Sequence, residues 1–210
     1  MLKRVFKNNF VLIMILILII IGYYLVFSCD YLVSRITYID TIVMNSISFD
    51  SDIFTVIMKI FTFIGSFYIP ILILIILYCF KSKRKDTYFL TIVYIFSGLV
   101  IFMCKYLISR DRPVSALITI PFTPSFPSGH SFTSMVFYFL LGYIISNNKS
   151  IKYKMIVLAL FICISLIVGF SRIFLGVHYF SDVIGGFILS IPVILIALNS
   201  YKLLIKEDIK

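Results

Sequence analysis

Phe10 to Phe27, FVLIMILILIIIGYYLVF, is an eighteen-residue run without a charge, an amide or a proline. A helix needs about 20 predominantly apolar residues, rising 1.5 Å each, to cross the hydrocarbon core of a bilayer. Further apolar runs follow at about Ile60 to Phe80, Tyr88 to Ile108, Gly129 to the residues before Asn147, Met155 to Phe170 and Val183 to Tyr201. Mean hydropathy is +1.11 and 13% of the 210 residues are charged, against roughly 25% in a soluble domain. These features predict an all-α polytopic membrane protein of one domain over 1–210, a bundle of six transmembrane helices. Internal repeats, low-complexity tracts and Pro/Gly/Ser-rich linkers are absent from the sequence.

The basic residues orient the spans. Even with a net charge of +10, short basic clusters between apolar runs read as topology signals that meet anionic headgroups, not as a nucleic-acid surface. One side carries Lys3, Arg4, Lys7, Lys81, Lys83, Arg84, Lys85, Lys149, Lys152, Lys154, Lys202, Lys206 and Lys210; the other carries only Arg35, Lys59, Lys105, Arg110, Arg112 and Arg172. The bias places both termini in the cytoplasm. The basic-then-apolar start resembles a signal peptide, but no small-x-small cleavage site follows, and Phe27 fits poorly in a lipoprotein-like box at Val26 to Cys29. The first run is therefore expected to remain as a span. Between Ser28 and Lys59, Asp30, Asp40, Asp50 and Asp52 lie among aliphatics, with an interfacial amphipathic helix expected around Asp52 to Gly65. Cys29, Cys79, Cys104 and Cys163 occur singly and read as small apolar packers.

The polar residues within this apolar chain gather at span ends on the outward side. Both of its histidines belong to a three-part pattern. The parts are Lys105 with Arg112-Pro113; Pro127-Ser128-Gly129-His130; and Ser171-Arg172 with His178 and Asp182. If the sixth span is already helical at His178, the carboxylate of Asp182 shares its face four residues on. It can fix the ring tautomer and leave the other nitrogen as a nucleophile or base; alone, the pair could equally be a structural link between the last two spans. Ser128 suits the N-cap of the fourth span. Gly129 would let an anion approach the exposed backbone N–H groups there, and His130 beside it could protonate a leaving oxygen. Lys105 and Arg172 taken singly read as snorkelling residues. Arg112, held extended before Pro113, could aim its guanidinium at two phosphate oxygens. Arg110 and Asp111 read as solvated neighbours.

These three parts resemble the signature of the type-2 phosphatidic-acid phosphatase superfamily, the lipid phosphate phosphatases, which share their site with vanadium haloperoxidases. Every signature position is matched between Lys105 and Asp182. The resemblance implies that His178 attacks phosphorus to form a phosphohistidine, with Asp182 orienting and activating it. His130 would protonate the leaving oxygen and then help activate water. Lys105, Arg112, Ser128, Gly129 and Arg172 would hold the phosphoryl oxygens, and Ser171 would add a supporting hydrogen bond. With cations in place of a metal and no acidic cluster suited to magnesium, no metal and no cofactor are expected.

The outward site suits a lipid phosphate whose tail stays in the bilayer. The expected substrate is undecaprenyl pyrophosphate, with phosphatidylglycerol phosphate and phosphatidic acid as alternatives, and with transfer to another acceptor as an alternative to hydrolysis. The expected partners are therefore the substrate and the bilayer, with no nucleic acid and no obligate protein partner. A transporter would place its polar groups at the midplane of broken helices, whereas these sit at one face. A haloperoxidase would not need six spans.

Overall fold

The computed structural model describes residues 2–47, 51–81, 84–114, 116–120 and 122–208. Asp50, Lys83 and Lys210 lie outside them, as do the side chains of Lys3, Arg4 and Lys206. The described residues form eight helices and no strand: α1 (Leu2–Phe27), α2 (Asp30–Ser46), α3 (Asp52–Ile64), α4 (Tyr68–Cys79), α5 (Arg84–Ile108), α6 (Gly129–Ser146), α7 (Ile151–Phe174) and α8 (Phe180–Asp208). The chain is a multi-pass membrane protein. Four of these helices, α1, α5, α7 and α8, are long and apolar enough to cross a membrane, and the pair α3–α4 makes up to five.

Two departures from the sequence expectation have physical causes. The run from Ile60 to Phe80 is not one helix. It breaks at Gly65–Phe67 and bends by 49°, because Gly65 caps α3 and the Tyr138 hydroxyl donates to the Ile64 carbonyl, 2.5 Å away. That carbonyl would otherwise be left without a partner at the helix end. The 18-residue α6, expected as a span, is not among the long apolar helices. Its opening turns carry Gly129, His130, Ser131, Thr133 and Ser134. They are tolerated because α6 is central: Phe132, Val136, Phe137 and Leu140 are buried against residues of the neighbouring helices. The amphipathic segment begins and ends close to its expectation, as Ser51 accepts a hydrogen bond from the Phe54 amide and starts α3.

The connections gather the polar residues. The end of α5, the start of α6, the end of α7 and the start of α8 meet at one end of the bundle, where the Ser128 amide donates to the Asp182 carbonyl at 2.9 Å. After α7, Gly176 takes a positive φ of 67°, a left-handed conformation that glycine enters without steric cost. The turn lets both the Val177 and His178 amides donate back to the Arg172 carbonyl. His178 is thereby held beside the last turn of α7.

Candidate active site

His178 is fully enclosed, 2% exposed. On one side its Nδ1 lies 3.3 Å from Asp182 Oδ2; His178 precedes α8, so the turn after α7, not a shared helix face, brings the pair together. Asp182 Oδ2 also accepts from the Ser125 hydroxyl and from the Tyr179 amide at 2.9 Å. A carboxylate so placed accepts a hydrogen bond from Nδ1–H, which fixes the tautomer and leaves Nε2 as the acceptor. That nitrogen faces Arg112, whose Nη1 is 3.2 Å away. Burial pushes the His178 imidazole down to about 3, with Asp182 opposing and Arg112 and Lys105 reinforcing the shift. The ring is therefore neutral through ordinary pH, with its Nε2 lone pair turned towards Arg112.

Three cations gather about the two imidazoles. Arg112 donates to the carbonyls of Thr123, Val177 and Pro124. Lys105, at the last turn of α5, donates to the carbonyls of Pro124 and Ser125. Arg172 is 2% exposed. Its Nη1 donates to Thr62 of α3 at 3.0 Å, Thr62 bonds Ser171 at 2.8 Å, and Ser171 donates to the Val168 carbonyl at 2.7 Å. The buried Nε of Arg172 has no partner, which costs about 1–3 kcal/mol. Among the described residues none of the three cations pairs with a carboxylate, although buried charges are normally paired.

The other expected residues fall into place around them. Ser128 caps α6, accepting from the Ser131 amide. Gly129 begins the helix, and a Cβ added there would sit 3.9 Å from Lys105 Cε. His130 is an electrostatic neighbour of Arg172, His178, Arg112 and Lys105. Both Gly129 and His130 also form the head of a groove of about 890 Å³ running between α4, α5 and α6, lined by Phe67, Ile71, Ile75 and Ile95. These four apolar residues are 42–59% exposed on the lateral surface of the bundle. Among the described residues, no group of three or more His, Cys, Asp or Glu could hold a metal.

A profile of the PAP2 superfamily matches residues 86–206, more than half of the sequence. The chain belongs to the PAP2 superfamily. It is 32% identical over 130 residues to phosphatidylglycerophosphatase B of Bacillus subtilis (strain 168), a match spanning 60% of this chain and 64% of that relative. In fold it is similar to the first transmembrane PAP2 type phosphatidylglycerolphosphate phosphatase from Bacillus subtilis, with a TM-score of 0.76 at 23% identity, covering 93% of this chain and 96% of that one. Aquifex aeolicus LpxE is a more distant likeness, with a TM-score of 0.61 at 21% identity, covering 75% and 93%.

The structure corrects the reading of Arg110 as a solvated residue. Its side chain is only 10% exposed and bridges two acids: Nη1 lies 2.6 Å from Asp182 Oδ1, and Nη2 lies 2.7 Å from Asp40 Oδ2. Tyr179 stacks on it, the ring centroid 4.2 Å from Cζ. Asp111 is exposed. Asp40, Ser125 and Thr62 also escaped the sequence reading. A carboxylate in mid-helix, flanked by Ile39 and Ile42 of α2, was the signal that could have drawn attention to Asp40.

Proposed function

We propose that this protein is a lipid phosphate phosphatase that uses His178 as its nucleophile. The observation that carries the reading is a cluster of three cations, Lys105 and Arg172 buried and Arg112 half-buried, unpaired by any described carboxylate and gathered about the two imidazoles, with His130 at the head of an apolar groove. An anion with an attached hydrocarbon chain fits both halves of that arrangement. His178 Nε2 attacks phosphorus as the bond to the leaving oxygen breaks, and His130 gives that oxygen its proton. Water then attacks the phosphohistidine with His130 as base, releasing phosphate. Lys105, Arg112, Arg172, Ser128 and the Gly129 amide hold the phosphoryl oxygens, and transition-state charge on those oxygens is what phosphoryl-transfer catalysts must stabilise. Ser171 supports Arg172 through Thr62. The chemistry proceeds without a metal or other cofactor.

The similarity to phosphatidylglycerophosphatase B favours phosphatidylglycerol phosphate as substrate, ahead of undecaprenyl pyrophosphate and phosphatidic acid. The proposed topology has six crossings, α1, α3–α4, α5, α6, α7 and α8, with termini in the cytoplasm and the site outward at the cell membrane. The basic-residue bias supports it. Full-length protein in detergent with EDTA is expected to release phosphate from phosphatidylglycerol phosphate faster than from the other two lipids, and His178→Ala to release none. Release that requires added metal, or that persists without His178, would overturn the mechanism. Exposed Cys29 and Cys79 test topology: a membrane-impermeant maleimide should label Cys29 in intact cells and leave Cys79 unlabelled.

A further inference from the structure

Asp40 lies in α2, outside the residues that carry the signature, yet it is fully buried beside the site. Its Oδ1 accepts from the Ser181 amide at 2.8 Å and its Oδ2 from the Ser181 hydroxyl at 2.6 Å. Ser181 adjoins Asp182, and Arg110 donates to the Ser181 hydroxyl at 2.7 Å as well as to both acids. The result is an alternating row of acid, guanidinium and acid ending on the carboxylate that orients His178. We propose that Asp40 and Arg110 are positioning residues that set how strongly Asp182 supports the reacting imidazole.

This inference rests on the phosphohistidine reading. When the Nε2–P bond forms and the bond to the leaving oxygen breaks, the ring becomes an imidazolium whose Nδ1–H faces Asp182. Asp182 then has two cations on it, the ring at Oδ2 and Arg110 at Oδ1. Inside a protein such charges are weakly screened, so Arg110 alone would cancel much of the support that the carboxylate gives the ring. Asp40 answers Arg110 and returns the row to one net negative charge. The pair thus holds Asp182 ionised and aimed without neutralising it.

The test compares kcat and KM of full-length variants in detergent on dioctanoyl phosphatidic acid. Asp40→Asn leaves the row neutral and Arg110→Gln leaves it doubly negative, whereas the double variant restores one negative charge. Each single variant is expected to lose about tenfold or more in kcat with KM shifted less than about threefold, the pattern of an interaction realised in the transition state. The double variant should turn over faster than either single, a coupling that damaged packing does not produce. Ser181→Ala removes hydrogen bonds but no charge from the same cluster, and is expected to lose less than about threefold. If Asp40→Asn yields no folded protein, the comparison of Arg110→Gln with the double variant carries the test. A double variant no faster than its parents, a Ser181→Ala as damaged as Asp40→Asn, or a fully active Asp40→Asn beside an inactive His178→Ala would overturn the inference. Turnover persisting in His178→Ala would overturn the underlying reading and this inference with it.

Discussion

Gly186 of α8 packs tightly against the start of α6, and adding one methyl there should disable the site without removing any of its side chains. A Cβ at Gly186 would stand 2.7 Å from the Ser128 carbonyl oxygen, 3.2 Å from Ser131 Cβ and 3.3 Å from the Phe132 nitrogen, where ordinary contact begins at 3.4 Å. Two of these three neighbours are backbone, so no rotamer change can relieve the overlap. The first turn of α6 must withdraw from α8, and the 2.9 Å bond from the Ser128 amide to the Asp182 carbonyl must lengthen. Overpacking and the weakened hydrogen bond together put the cost of Gly186→Ala at about 2–3 kcal/mol. Ser128, Gly129 and His130 travel with that turn, and a displacement near 1 Å costs about a hundredfold in rate. Thermal unfolding in detergent and kcat on a soluble short-chain lipid phosphate measure the two effects, with Gly22→Ala as control because nothing lies within 4 Å of a Cβ there. A Gly186→Ala protein with unchanged melting and kcat within twofold of the parent would refute the argument that helix contact at this point places the cradle.

Three further outcomes are expected. Because burial depresses His178 to about 3, well below its ordinary value of about 6.5, the folded state resists protonating it. Its contribution to stability is complete above about pH 6.5 and declines as pH falls towards 3. Nitrogen-15 NMR of labelled protein, assigned by losing one of two histidines in His178→Ala, should show the ring neutral at pH 5, and an imidazolium signal there would refute this. Thr62→Val removes the hydroxyl that accepts from Arg172, a hydrogen bond to a charged group worth about 1.5–3 kcal/mol, so the inhibition constant of inorganic phosphate should rise about tenfold or more; an unchanged constant would separate Arg172 from phosphate binding. Gly98→Phe fills the apolar groove from α5, where open space surrounds the missing Cβ. It should lower kcat/KM for long-tailed lipid phosphates about tenfold more than for p-nitrophenyl phosphate, since each buried methylene is worth about 0.8 kcal/mol; equal losses would disconnect the groove from the tail.

The parts legible in the sequence were those whose information is local. His178 and Asp182 are four residues apart in the chain, Ser128 precedes its own helix, and the Asp52–Ile64 helix carries its cap at Ser51. Apolarity gave the membrane class but not direction, which is why the bend between α3 and α4 was not read: the apolar run from Ile60 to Phe80 continues through Gly65. Arg110 was misread for the opposite reason. Flanked by Ser109 and Asp111 it looks solvated, and its partner Asp40 lies seventy residues earlier, a separation that no spacing rule reaches. Thr62 joined the site only because α3 packs against α7, which places its hydroxyl within reach of Arg172 and Ser171.

The lateral exposure of the groove turns this into chemistry in two dimensions. Drawing a tail of about sixteen methylenes into water costs on the order of 13 kcal/mol at roughly 0.8 each, or about nine orders of magnitude in occupancy. A channel open along the side of the bundle avoids that loss, since the hydrocarbon exchanges one apolar neighbour for another while only the phosphate is handed to the protein. Saturation is then governed by the mole fraction of substrate among surrounding amphiphiles. Diluting the film with inert detergent at constant bulk substrate should slow the enzyme as surely as removing substrate.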